Sequence, residues 1–197
     1  MIQKLVDTFI NIQGENDAMT DTDKKIYRYG YILLFEVLLN LMIALGIGIF
    51  FSKMQAVLFF LGAYIPLRSF CGGWHADEIW KCTIISNVIL LLQIFCIENI
   101  IEYLSIAQMM AIYFFNIFFI LLMAPVETES KKISQDERQH YKRKIKFFIG
   151  IHLMIMVMLI RWGVKEYIFS MMFVYFVQNM MLLMEMVKKS KWVLKNE

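Results

Sequence analysis

The chain is poor in what builds a soluble or secreted domain. Only 19% of its 197 residues are charged, which leaves little for a separate water-facing unit. Its cysteines number three, and an odd count argues against a disulfide framework. The first residues, MIQKLVDTFINIQGEND, lack the basic, then apolar, then small order of a cleavable signal peptide, so the N-terminus is expected to stay in the mature chain. Internal repeats and low-complexity tracts are absent. What is present is apolar: 59% hydrophobic residues, 17 Phe and 16 Met, with a mean hydropathy of +0.58. Each of those two residue types is nearly as numerous as Lys and Arg together, at 20, a balance that ordinary globular domains do not show. Lipid is the expected solvent.

A bilayer core takes about 20 apolar residues per helical crossing. Such runs lie near 31–51, 54–68, 82–98, 104–126, 147–162 and 167–187. The expected fold class is all-α: a polytopic transmembrane helical bundle of about six spans, forming a single membrane domain over 1–197. Segment 54–68 contains Pro66 and is followed closely by Gly72 and Gly73, so a tilted or re-entrant helix, and hence five or four crossings, also fits. If six spans alternate, Lys53, Arg161 and Lys165 fall on one side and every other Lys and Arg on the opposite side. Positive charge gathers on the cytoplasmic face. Both termini are therefore expected inside, with a cytoplasmic segment 1–30, a loop 69–81, a basic loop 127–146 and a tail 188–197. Within 1–30, Ile2, Leu5, Val6, Phe9 and Ile10 form one apolar stripe of a helix ended by Gly14, suited to lying in the interface or to packing on the bundle's cytoplasmic face.

Residues 68–82, RSFCGGWHADEIWKC, hold two of the three cysteines, one of the three histidines, an arginine, a Gly-Gly pair and two carboxylates. A thiol attacks a carbonyl only as thiolate, and a free cysteine with a pKa of about 8.5 needs a neighbouring base at neutral pH. His75 and Cys82 offer such a pair. Seven residues of continuous helix rise about 10.5 Å, against the roughly 3 Å contact a base requires, so the chain must turn back between them. Gly72 and Gly73 can aim backbone N–H groups at an oxyanion. Asp77 or Glu78 can orient the imidazole, and Arg68 can hold a substrate carboxylate. Each has a plainer reading as a turn, a solvated charge or an interfacial anchor.

The remaining candidates rank lower. Cys71 is a rival nucleophile four residues before His75, although Gly-Gly disfavours a helical contact between them. Cys96 lies about 21 Å along a helix from Cys82 and reads as a small buried hydrophobe. His140 reads as a surface residue and His152 as an interhelical hydrogen-bonding group. Glu36 is expected to snorkel to the interface or to pair with Asn40, while Asn87, Gln93, Asn116, Gln178 and Asn179 suit polar contacts between helices. Spacing of Cys71, His75 and Cys82 does not match a structural zinc site; no metal, cofactor or nucleic acid is expected. Ala44 and Gly48 form one small-xxx-small pair, the only sign of a homodimer.

The stretch RSFCGGWHADEIWKC, with its arginine, Gly-Gly, His-Ala and following cysteine, resembles the accessory gene regulator B (AgrB) family of quorum-sensing peptide processors. Ala124-Pro125-Val126-Glu127 and the Lys-rich segment through Lys146 look like that family's turn and basic loop, though here Asp136 and Glu137 split the lysines. The resemblance runs over nearly the whole chain. It implies a membrane cysteine endopeptidase acting on a small AgrD-like precursor peptide with an amphipathic leader, a cysteine-containing core and an acidic tail. Cys82 would attack the bond before the tail with His75 as base. The acyl-enzyme thioester would then be captured by the core peptide to give a thiolactone. Arg68 and Gly73 match positions important in the family, Cys71 stands where a small residue is common, and Lys131 and Lys132 would grip the acidic tail. A small multi-span transporter and a non-enzymatic membrane adaptor are the alternatives; few buried charges and no repeated half-helices argue against the transporter.

Overall fold

The computed structural model describes residues 21–74, 79–127 and 133–196. Six long helices follow in order: α1 (Asp21–Phe50), α2 (Met54–Cys71), α3 (Ile79–Asn99), α4 (Ile106–Met123), α5 (Gln135–Trp162) and α6 (Lys165–Asn196), with a short 3-10 turn at Ile101–Tyr103 after α3. There is no strand among the described residues. All six helices are long and apolar enough to cross a membrane, as the hydropathy runs predict. The shortest have 18 residues, about 27 Å of helix against a hydrocarbon core of about 30 Å. The stripe at residues 2–10 lies outside the described residues.

Helix α2 continues through Pro66 to Cys71. A proline ring presses on the carbonyl four residues earlier. Here that residue is Gly62, which has open space where a side chain would stand. Loops are also shorter than the sequence suggests. The loop expected over 69–81 gives up 69–71 to α2 and 79–81 to α3. The basic loop expected over 127–146 is corrected more substantially, because 135–146 form the first turns of α5. Ser134 and Glu137 make a capping box there, each side chain taking up the other's backbone N–H, so a helix can begin among charged residues before the apolar run. The tail expected at 188–197 is, to Asn196, the continuation of α6.

Helix α6 is the centre of the bundle. In its most apolar stretch 72% is buried inside the protein, against 18–33% in the other five, and it packs on α2, α3, α4 and α5. Helix α1 lies outside, against α2 and α3. Ala44 and Gly48 are both buried in that contact. A Cβ on Gly48 would stand 3.1 Å from the Met54 Cα, so the small-residue pair serves packing within the chain and offers no face to a second copy. Polar groups in the apolar bundle pair across helices, as unsatisfied donors in lipid are costly. Asn179 Nδ2 donates to Asn116 Oδ1 at 2.6 Å, Gln93 Nε2 to Ser170 Oγ at 3.0 Å, and His152 Nδ1 lies 3.0 Å from the Tyr175 hydroxyl. Cys96 is half-buried against the core and His140 is exposed on α5.

Candidate active site

The loop between α2 and α3 starts from a helix end that only glycine fits. Gly72 caps α2 with φ 71°, its N–H donating to the Arg68 carbonyl at 3.1 Å, and Gly73 follows at φ 124°. Both angles disfavour L side chains, and space is equally short. A Cβ at position 72 would lie 2.6 Å from the Val126 carbonyl oxygen, and one at position 73 would lie 3.2 Å from the Met181 backbone. The turn is thus held between two distant segments. On one side the Val126 N–H donates to the Cys71 carbonyl at 3.1 Å. On the other, Gln178 Nε2 donates to the Gly72 carbonyl at 2.8 Å and the Trp74 N–H to the Met181 carbonyl at 2.9 Å, both partners on α6.

Arg68, near the end of α2, closes this arrangement. Its guanidinium donates to the Tyr64 hydroxyl and to the Trp74 carbonyl, each at 2.9 Å, and lies 5.7 Å from the centre of the Tyr64 ring. The carbonyl it holds immediately precedes His75. Arg68 is thereby an anchor of the loop, a contact that the sequence reading as a carboxylate clamp did not include. Of the three amides in the turn, those of Gly72 and Trp74 are committed to protein carbonyls. The Gly73 N–H has no hydrogen-bond partner among the described residues.

Cys82 is the fourth residue of α3, in its first turn, and is half-buried. Helix N-termini favour negative charge through their unpaired N–H groups. On the facing helix α1, Asn40 Nδ2 donates at 3.3 Å to the hydroxyl of Thr83, the residue after Cys82, and Glu36 lies one turn before Asn40. Cys71, in contrast, is fully buried at the end of α2. No reagent or substrate reaches its sulfur without the packing opening. His75, Asp77, Glu78, Lys131 and Lys132 lie outside the described residues. No group of three His, Cys, Asp or Glu side chains comes together among the described residues.

Glu36 is corrected here from the sequence reading. It is 7% exposed and does not snorkel, and Asn40 bonds its backbone carbonyl (3.1 Å) and not its carboxylate. A signal for it existed, as the one charged residue in 31–51. Tyr64, Gln178 and Met181 carried no chemical signal that would have linked them to this loop.

The two stretches that carried the resemblance, 68–82 and 124–127, meet at the Cys71–Val126 bond. The Accessory gene regulator B (AgrB) family profile matches residues 2–185. The chain belongs to the AgrB family. That family is associated with peptide processing in accessory gene regulator quorum sensing. Among its relatives, an AgrB-like protein 2 of Clostridium perfringens (strain 13 / Type A) is 27% identical over 130 residues, covering 61% of this chain and 59% of the relative. A second AgrB-like protein, of Clostridium perfringens (strain SM101 / Type A), is 25% identical over 182 residues, covering 84% of this chain and 80% of the relative. No solved structure matches the chain.

Proposed function

We propose that this AgrB-family chain is a membrane cysteine endopeptidase that removes the C-terminal tail of a small AgrD-like precursor peptide and promotes cyclisation of the core. Cys82 is the nucleophile and His75 its base. The thiolate attacks the carbonyl before the tail, His75 passes the proton to the departing amine, and the core stays attached as a thioester. A thiol of the core then attacks that thioester to form a thiolactone. Thioester exchange is nearly balanced, and loss of the tail draws it forward. Asp77 or Glu78 orients His75, the Gly73 N–H turns toward the oxyanion, and Lys131 and Lys132 attract the acidic tail. The active loop faces the cytoplasm of a bacterial membrane, where a newly made peptide arrives.

The observation that supports this reading best is the clamped turn: Arg68, Val126, Gln178 and Met181 hold the backbone up to Trp74, and α3 starts at Ile79 with Cys82 half-buried in its first turn. Preorganised backbone of this kind is what covalent catalysis needs, and a mere adaptor has no use for it. The test is co-expression with a precursor of the stated design, followed by mass analysis of products. Wild type and Cys71→Ala release the tail; Cys82→Ala and His75→Ala do not. Cleavage that survives Cys82→Ala and vanishes in Cys71→Ala overturns the assignment, and a wild type that never releases the tail overturns the peptidase reading.

A further inference from the structure

Glu36 sits where a charge is expensive, in an apolar span and inside the bundle. Ionisable groups in such places are kept for a use. Its position follows from the register of α1 on α3. Asn40, one turn after Glu36, donates Nδ2 to Thr83 Oγ1 at 3.3 Å, and Asn87 donates to Asn40 Oδ1 at 3.4 Å. Glu36, one turn before Asn40, and Cys82, next to Thr83, therefore sit on adjoining turns of two helices in contact, with the carboxylate buried inside the bundle.

The thioester reaction proposed above moves protons at this sulfur twice. During acylation the Cys82 proton leaves. During exchange the core peptide's thiol must lose a proton as its sulfur bonds to the carbonyl carbon, and the Cys82 sulfur must gain one as its C–S bond breaks. His75 serves the first step from the α2–α3 loop. We propose that Glu36 is a catalytic residue of the second: its carboxylate takes the proton of the incoming thiol and returns it to Cys82 Sγ. Every atom is accounted for, since the thiolactone forms, the Cys82 thiol is restored, and Glu36 ends as it began. This inference rests on the thioester reading.

The test follows both products of one turnover in the full-length protein in membranes. For Glu36→Gln, which keeps the size and loses the proton acceptor, the ratio of thiolactone to released tail falls on the order of a hundredfold, the scale of general base catalysis. Core peptide accumulates as a mass adduct on Cys82 or as its linear hydrolysis product. Glu36→Asp recovers part of the ratio, which a failure to fold does not. An unchanged ratio in Glu36→Gln overturns the inference, as does a parallel loss of tail and thiolactone in both variants. A wild type that releases the tail without any Cys82 adduct or thiolactone overturns the thioester reading instead.

Discussion

At Gly72 a single methyl group meets two obstacles at once. Its φ of 71° is costly for alanine, about 1–2 kcal/mol, and the added carbon would press within 2.6 Å of a backbone oxygen that has no side-chain freedom to retreat. Gly72→Ala is therefore expected to lower the melting temperature in detergent and to abolish processing, through displacement of the Val126 segment. An alanine variant that melts like wild type would show that the turn is slack. Gly150, with open space around it and an ordinary helical φ, is the control, and Gly150→Ala is expected to melt at or slightly above the wild-type temperature. At this scale the sequence marked 68–82 as the chemically loaded stretch, since thiol, imidazole and glycine are chemically distinctive. It was silent about Tyr64 and Met181, whose part in the site comes from a hydroxyl and a carbonyl that nearly any residue pattern can supply.

Between elements, close approach of α1 and α2 depends on Ala44 and Gly48. Gly48→Leu would drive a side chain into the Met54 backbone at 3.1 Å, and van der Waals packing is the main force available between helices in lipid. Because α1 carries Glu36, the proposed proton carrier, the variant is expected both to melt several degrees lower and to lose thiolactone. Gly46→Leu, at an exposed position with nothing within 4 Å, is expected to do neither. Equal melting of the two variants would contradict the packing described for Gly48. Capping boxes of Ser105 with Gln108 and of Ser134 with Glu137 open α4 and α5, and the apolar runs do not carry that start signal. Hydropathy alone missed the second, because the helix it opens runs for three turns through charge.

For the molecule as a whole, the basic residues and the loop geometry make one joint expectation. In a Cys71→Ser, Cys96→Ser background, a membrane-impermeant maleimide is expected to label Cys82 in inverted vesicles and to spare it in intact cells. The reverse pattern would refute the proposed orientation. It would also remove the loop from the side on which the peptide is made. The contrast between cysteines is a second whole-molecule property. With Cys71→Ser reverted, Cys71 is expected to react only after detergent unfolding, because its sulfur is closed in by the bundle.

The sequence by itself determined the solvent, the number of helices long enough to cross it, the uneven distribution of positive charge and the chemical character of one loop. Each is a property of composition or of spacing along the chain. Tertiary structure alone decided that Cys71 is sealed while Cys82 stays half-open, that 124–127 meets 68–82, that Glu36 is buried on the helix that bonds next to Cys82, and that Ala44 and Gly48 are used within the chain. All of these depend on how each helix is turned about its own axis. In water an apolar stripe would fix that rotation, but lipid is as apolar as the core. Helices that are hydrophobic nearly all round leave their orientation to packing and to the few polar groups that must find each other.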